Sequence, residues 1–227
     1  MTNLFKKEEY CYNYAMINNN EKMTKLFIDI ETIPAEKKLW QKIEKDMQLK
    51  YELRNKKPFN KEDLYERTAL DGTYGRILCL GYLKEPPPKV RANILYGPEK
   101  EILKNFWEIA RDVNIFIGHN IMDFDLNFIY KRSIINGVPP TKDLSFARYR
   151  HDPIFDTMRE WDKWLSSSQV GLDRLAKILG LKSSKGELDG SKVYEYYRKG
   201  KFKEIYQYCM ADVEVTREIY QKMTFSR

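Results

Sequence analysis

Five short segments of the chain are apolar without interruption or alternate between apolar and polar residues, and they predict β-strands. The first two are apolar at most positions, which is typical of strands buried in a sheet. Three consecutive prolines in KEPPPK (84–89) indicate a turn between the second strand and the third. The five segments are LFIDIETIP (26–34), GRILCLGYL (75–83), RANILYG (91–97), NIFIGHN (114–120) and PIFDTM (153–158).

Apolar positions with a helical period predict helices between and after these strands. Residues 99–111 show one apolar stripe, formed by Ile102, Leu103, Phe106, Ile109 and Ala110. Three further helices are predicted at 124–135, at 171–181 with Gly180 as a stop signal, and at 202–223.

Two segments stand apart from this pattern of strands and helices. Residues at about 35–70 form a Lys-rich stretch in which Leu39, Trp40, Ile43 and Met47 recur at helical spacing, so we interpret it as a helical insertion. Residues 1–23 carry no sustained period and are expected to be a tail or extension. The rest, 24–227, is predicted to be one α/β domain built on a mixed sheet flanked by helices.

Composition and net charge exclude only a few classes of function. The 40 Lys and Arg residues exceed the 33 Asp and Glu residues, giving a formal charge of +7 that favours a polyanionic partner such as nucleic acid. The three cysteines lack C-x-x-C spacing and only two histidines are present, which argues against a zinc site and suits a cytoplasmic or other intracellular, reducing compartment. We expect no membrane association, because no signal peptide is recognisable and no apolar run approaches the roughly 18 to 20 residues of a membrane span.

The first strand carries the strongest chemical signal. Asp29 and Glu31 lie two residues apart, so on a strand both carboxylates project from the same face and repel each other. A strand that only had to fold would be more stable with Val or Thr at these positions. A bound cation is the expected compensation.

Two other segments supply acids that could complete such a site. Asp125 begins a predicted helix just after the strand that ends near Asn120, and junctions of this kind are where open α/β sheets place ligands. Tyr208 and Asp212 lie four residues apart, on one face of the C-terminal helix. Taken singly, Asp125 also fits a simple helix cap, and the other pair fits a tyrosine at the core edge beside a solvent-facing acid.

Taken together, DIET, N-x-x-x-F-D and Y-x-x-x-D resemble the three motifs of the DEDD 3′-5′ exonucleases, in the subclass that carries a tyrosine. The histidine subclass has its histidine five residues before the last acid, where this chain has Gln207. The chain is more closely similar to the predicted exonucleases related to the proofreading domain of family B DNA polymerases. That resemblance runs from about Lys25 to Met223 and includes GLDRLAKILGL, GELDGSKVYEYYRKGKFKEI and YCMADVEVT.

The resemblance implies a ribonuclease H-like fold with two divalent ions. It assigns the acidic positions to Asp29, Glu31, Asp125 and Asp212, and the catalytic tyrosine to Tyr208. Hard oxygen ligands without soft ones suit Mg²⁺ or Mn²⁺, and two such ions about 3.5–4 Å apart can activate a water and stabilise the leaving oxygen. Tyr208 is expected to orient the water, since a phenol with a pKa of about 10 is a poor base at pH 7.

Substrate contacts follow less directly. By resemblance, Asn120 lies beside the terminal nucleotide, and Phe124 either stacks on a base or serves as a core residue, which we favour. Thr32 offers its hydroxyl or backbone to the 3′ end, although strand packing explains it equally well. Lys185 is our choice for a phosphate contact within the basic residues before the last motif, most of which fit a solvated face. The two histidines, His119 and His151, are expected to be structural.

We therefore expect a 3′-5′ exonuclease that releases nucleoside monophosphates from single-stranded 3′ ends, with DNA favoured over RNA. The chain has no room for a polymerase domain, so proofreading would need a separate polymerase or repair partner. The alternatives are a nucleic-acid-binding module with weak catalysis, and a ribonuclease or endonuclease on the same fold.

Overall fold

The computed structural model describes residues 23–55, 60–86, 91–165, 169–183, 186 and 188–226. The expected N-terminal tail lies outside the described residues except for Met23, and so does Lys185. The division into a tail, a domain and an insertion stays a prediction.

A five-stranded mixed sheet forms the centre of the described chain, in the order β3-β2-β1-β4-β5. β1 is antiparallel to β2 and parallel to β4, β2 is antiparallel to β3, and β4 is parallel to β5. The strands are β1 (Lys25–Ile33), β2 (Arg76–Glu85), β3 (Asn93–Tyr96), β4 (Ile115–Gly118) and β5 (Ile154–Asp156). The predicted α/β class with a mixed sheet is confirmed, and the arrangement is consistent with a ribonuclease H-like exonuclease fold.

Eight α-helices accompany the sheet within the described residues. They are α1 (Lys37–Asn55), α2 (Lys61–Arg67), α3 (Glu99–Ala110), α4 (Asp125–Asn136), α5 (Thr157–Trp161), α6 (Leu172–Ile178), α7 (Val193–Arg198) and α8 (Phe202–Met223). Short 3₁₀ turns lie at Thr68–Leu70 and Gly190–Lys192. Within the segment at about 35–70, the described residues include α1, α2 and the first of these turns. Its interpretation as an insertion stays a prediction.

β1 separates two apolar layers because its side chains alternate between its faces. Leu26, Ile28 and Ile30 face the cluster that contains Phe106 of α3 and Leu126 of α4. Phe27 lies on the other face, in a cluster with Val213 and Tyr220 of α8. The alternation therefore places Asp29 and Glu31 on the face that α8 covers.

Close packing of α8 on the sheet depends on Gly81 of β2. A Cβ atom at this position would lie 3.0 Å from both the Cys209 Sγ and the Val213 Cγ2 atoms of α8. Any larger residue would push the helix away from the sheet, and with it the functional residues that α8 carries.

The C-terminal half of β1 is open on one side. β4 pairs with β1 only between Lys25 and Phe27, whereas β2 pairs along all of β1, with an irregularity in register between Glu31 and Thr32. The backbone of β1 beyond Phe27 is therefore accessible to groups from outside the sheet.

Among the helices that the structure describes, none is both long and apolar enough to cross a lipid bilayer.

Candidate active site

Three carboxylates from two elements meet above the centre of the sheet. Asp29 and Glu31 extend from the same face of β1, and Asp212 extends toward them from α8. One oxygen atom from each residue lies within 4.8 Å of the other two. Asp212 and Glu31 are 181 residues apart in the sequence, and the fold brings them together.

The fourth predicted acid, Asp125, reaches the site from the other face of the sheet. It is the first residue of α4, and its Oδ1 atom accepts a hydrogen bond of 3.0 Å from the backbone N–H of Ile30. This N–H lies on the open side of β1, where β4 no longer pairs. Asp125 is thus fixed between Asp29 and Glu31 along the strand, although it is not one of the three residues with mutually close oxygens.

Burial and mutual repulsion make the ionised form of these acids unfavourable. Burial is the largest cause of the raised pKa of Asp29, and the charges of Glu31, Asp212 and Asp125 add to it. The pKa of Glu31 is raised by burial, then by the thiol of Cys79 and by the charges of Asp212 and Asp125. Burial raises the pKa of Asp125 to about 7, although the hydrogen bond from the Ile30 N–H opposes the shift.

Tyr208 stands one helical turn before Asp212, and both side chains line the same pocket. Burial raises the pKa of the Tyr208 phenol, as do the charges of Asp212, Glu31 and Asp29 and a hydrogen bond with Asp212. The hydroxyl therefore keeps its proton at neutral pH. It can donate and orient, but it is unsuited to act as a base.

The acids fit a site for divalent cations. The Oδ2 atom of Asp29 is buried without a hydrogen-bond partner among the described residues, and a buried unsatisfied carboxylate oxygen is costly unless a cation or proton compensates it. The donor set consists of carboxylate oxygens, which Mg²⁺ and Mn²⁺ prefer. Burial of acids this close to each other is explained if metal charge offsets their repulsion.

Two adjoining depressions open onto the acids. The acid pocket has a volume of about 480 Å³ and contains Asp29, Glu31, Asp212 and Tyr208. A side groove of about 560 Å³ shares Tyr208 and Asp212 with it and continues along α6. A ligand in the acid pocket can therefore extend past Tyr208 into the side groove.

Two of the predicted substrate residues line the acid pocket. Phe124 is half-buried, packs against the apolar core with its ring centroid 5.7 Å from that of Phe128, and borders the pocket. Phe124 can therefore pack against the core and still present part of its ring to a ligand in the pocket. The hydroxyl of Thr32 donates a hydrogen bond of 2.7 Å to the carbonyl oxygen of Ala69, so the hydroxyl proton is engaged in joining β1 to the insertion.

Asn120 is held in position by a residue that the sequence analysis missed. Its backbone has a positive φ of 63°, and its N–H donates a hydrogen bond of 3.0 Å to Oδ1 of Asp156. Asp156 is almost fully buried, and it also accepts hydrogen bonds from the backbone N–H groups of Met122, Met158 and Arg159. This carboxylate fixes the loop that leads into α4. The sequence does contain one indication of Asp156. It is an acid at the carboxyl end of the predicted strand PIFDTM, and Asn120 lies at the same kind of position, at the end of another predicted strand.

Residues 61–70, which belong to the predicted insertion, form one wall of the acid pocket, and the sequence did not predict this position. The residues contributed by the segment 61–70 are Asp63, Glu66, Arg67, Ala69 and Leu70. Arg67 is the only cationic side chain in the lining that the structure describes, and no acid in the described chain forms an ion pair with it. An arginine at this pocket wall had no signal in the sequence, because helical spacing does not reveal which face of a helix meets the sheet.

The basic residues before the last motif are mostly engaged elsewhere. None of the described lysines between 182 and 203 lines the acid pocket or the side groove. Lys199 pairs with Glu195, and Lys201 lies 4.9 Å from the ring centroid of Tyr196. Lys185 lies outside the described residues, so its role as a phosphate contact stays a prediction.

Neither histidine lines the acid pocket or the side groove. His119 is largely buried, with Nδ1 2.9 Å from the Thr157 Oγ1 atom and Nε2 2.8 Å from the Val170 carbonyl oxygen. Burial lowers the pKa of His119 to about 4, so the ring is neutral at pH 7. His151 is exposed beside Asp152. The structural roles expected for both residues stay predictions.

The chain matches a known protein family. Residues 89–227, more than half of the chain, match the family described as predicted 3′-5′ exonuclease related to the exonuclease domain of PolB. The chain belongs to this exonuclease family. Exonucleases act on nucleic acid, so membership implies a nucleic-acid substrate. A search of curated proteins found no match.

The region matched by the exonuclease family contains Asp125, Tyr208 and Asp212, but it begins after β1. Asp29 and Glu31 therefore lie outside the matched region. The fold brings these two acids against Asp212, so all three belong to one site.

Proposed function

We propose that this protein is a metal-dependent 3′-5′ exonuclease that hydrolyses terminal phosphodiester bonds of single-stranded nucleic acid and releases nucleoside monophosphates. The observation that carries the proposal is the cluster of Asp29, Glu31 and Asp212 oxygens within 4.8 Å of one another, in a pocket that Tyr208 borders. Asp125 is the fourth acid of the site, held beside the cluster by Ile30.

In this proposal, Asp29, Glu31, Asp125 and Asp212 hold two Mg²⁺ or Mn²⁺ ions. The ions supply Lewis acidity, which lowers the pKa of a bound water and neutralises charge on the leaving oxygen. Because the neutral Tyr208 hydroxyl donates within the pocket, it orients the attacking water or a phosphate oxygen. The role of Tyr208 is thus positional.

The pocket walls support binding of a terminal nucleotide. Phe124 offers an aromatic surface at one side, and Arg67 offers a guanidinium group that suits a phosphate. Thr32 connects β1 to the insertion that carries Arg67, so this wall is attached directly to the strand that bears two of the acids. The 3′-5′ direction itself comes from the family.

Digestion of single-stranded DNA and RNA labelled at the 5′ end tests the proposal. With Mg²⁺ or Mn²⁺ we expect a ladder of products shortened from the 3′ end, and no products when a chelator is present. A 3′-terminal phosphate should suppress the reaction. Products cut first in the middle of a circular or 3′-blocked strand would favour an endonuclease, and binding without cleavage under all metals would favour a binding module.

The same experiment compares substrates. We expect DNA to be degraded faster than RNA, and single strands faster than blunt duplexes. A paired end must first fray, at a cost of about 1.4 kcal/mol per base-pair step, which lowers the available single strand roughly tenfold per step.

A further inference from the structure

A third pocket lies behind the loop that leads into α4. It has a volume of about 410 Å³, and the residues that characterise it are Met122, Phe146, Arg148, Tyr149, Arg159 and Trp164. We name it the aromatic–arginine pocket. Neither the family match nor the motifs of the sequence assign it a role.

The chemistry of this pocket suits a nucleotide in a single strand. Tyr149 is 75% exposed and its ring centroid lies 5.3 Å from that of Trp164, so one edge of the pocket is aromatic and accessible. Arg148 is exposed, and it forms no ion pair with the acids that the structure describes. Aromatic rings for stacking next to an uncompensated guanidinium group are the usual combination in proteins that bind single-stranded nucleic acid.

The remaining charges in the pocket balance each other. The guanidinium group of Arg159 bonds the carboxylate of Asp123, which also lines the pocket. This pair leaves the charge of Arg148 as the net charge of the lining. A phosphate is therefore favoured next to Arg148.

The pocket is continuous with the candidate active site in two ways. Asp123 lines the aromatic–arginine pocket and the next residue, Phe124, lines the acid pocket, so the two are separated by a single loop. Gln169 lines both this pocket and the side groove, which in turn shares Tyr208 and Asp212 with the acid pocket. A strand with its end at the acids can thus reach the pocket by way of the side groove.

We infer that the aromatic–arginine pocket binds an upstream nucleotide of the substrate strand, with its base on Tyr149 and its phosphate at Arg148. The inference rests on the proposed function for the identity of the strand. It predicts that affinity increases with strand length until the strand fills this pocket, and that very short substrates do not use it.

The test measures binding by fluorescence anisotropy of labelled single-stranded DNA from two to twelve nucleotides, in chelator so that no cleavage occurs. Tyr149→Asn removes the ring, and asparagine tolerates the positive φ of 65° found at this position. Arg148→Gln removes the charge. The matched controls are Arg150→Gln, an exposed arginine of the same loop outside the pocket lining, and Tyr96→Asn, an exposed tyrosine on β3.

We expect Tyr149→Asn to weaken binding of the longer strands about 5- to 150-fold, the range for loss of one base stack, and to leave binding of the dinucleotide unchanged. Arg148→Gln should reduce the slope of log affinity against log salt by about 0.7, because the variant neutralises one phosphate fewer. The controls should bind every length as the wild type does. Equal losses in Arg150→Gln, or wild-type binding by Tyr149→Asn, would overturn the inference.

The two proposals fail separately. If the wild type cleaves strands but the pocket variants bind all lengths normally, the pocket inference is wrong and the exonuclease proposal stands. If no metal supports cleavage but Tyr149→Asn loses affinity for long strands, the pocket inference stands and the exonuclease proposal is wrong.

Discussion

The carboxylate of Asp125 accepts a hydrogen bond of 3.0 Å from the backbone N–H of Ile30, a residue 95 positions earlier in the chain. The N–H is available because β4 stops pairing with β1 after Phe27. Asp125 thus satisfies an open strand edge and, by doing so, stands next to Asp29 and Glu31. This hydrogen bond therefore satisfies an unpaired part of β1 and also holds the fourth acid next to the other acids.

Replacing Asp125 with asparagine should separate these two roles. Asn keeps an oxygen that accepts from Ile30, but it removes the negative charge that burial opposes. Without metal at pH 8, where a group with a pKa of about 7 is ionised, the variant should therefore unfold at higher denaturant concentration, with a gain of about 1–4 kcal/mol. Hydrolysis should fall by about 10²-fold or more, since a bound metal supplies several kcal/mol to the transition state.

Lower stability of Asp125→Asn without metal, together with undiminished hydrolysis, would show that Asp125 is a structural residue. The wild type measured in parallel with and without Mn²⁺ gives the reference, because metal should stabilise the wild type more than the variant, which keeps the three clustered acids.

Tyr208→Phe should slow hydrolysis and leave metal binding intact, because only the hydroxyl is removed. The loss is expected to reach about 10²-fold, the lower end of acid–base effects, since the raised pKa of Tyr208 fits a donor that orients. Steady-state rates and Mn²⁺ titrations check this. Tyr206→Phe is the matched control, as Tyr206 lies on the same helix and stacks on Tyr96 outside the acid pocket. An unchanged rate would make Tyr208 a packing residue.

Arg67→Gln should raise KM for single strands several-fold with little change in kcat, because the proposed function has this side chain bind a phosphate at the pocket wall, away from the reacting bond. The log-log slope of affinity against salt should also decrease by about 0.7, the value expected when one phosphate is no longer neutralised. Lys38→Gln, on the exposed surface of α1, is the control. If both variants behave alike, Arg67 contributes only to the general charge of the surface.

We predict that His119 lowers the free energy of unfolding as the pH falls. Its pKa is about 4 in the folded protein and about 6.5 when unfolded, so the unfolded chain binds more protons between these values. The stabilisation that results from burying His119 in its neutral form is complete above pH 6.5. It is lost as the pH falls toward 4, by about 3 kcal/mol in total. The difference in unfolding free energy between wild type and His119→Gln, measured from pH 7 to 4, should therefore shrink. A constant difference for His119→Gln over this pH range would contradict the account.

The sequence predicts the long periodic elements well. The helix expected at 202–223 is α8 (Phe202–Met223), because its apolar stripe extends over six turns. The helices α5 and α7 were not predicted, since five or six residues do not complete two turns of a period.

Asp29 and Glu31 could be singled out from spacing alone, because two acids on one face of a buried strand conflict with folding alone. Asp125, Tyr208 and Asp212 each fit a simple structural role when taken singly, so their assignment to the site depended on the resemblance to the exonuclease motifs. The sequence did not identify Asp156 and Arg67 as site residues, because their roles depend on contacts with residues that are distant in the chain. Such contacts are set by tertiary packing and leave no period in the sequence.

The central claim is that Asp29 and Asp212 belong to one metal site that performs hydrolysis. Asp29→Asn and Asp212→Asn should be compared with Glu66→Gln, which removes an exposed acid from the wall of the same pocket. The measurement is the shortening of a 5′-labelled single strand with Mn²⁺, which counts the nucleotides released from its 3′ end, alongside Mn²⁺ binding by calorimetry. We predict that both aspartate variants fold, lose Mn²⁺ affinity and release no nucleotides above background, while Glu66→Gln behaves as the wild type. Near-wild-type release of nucleotides by either folded aspartate variant would contradict the account.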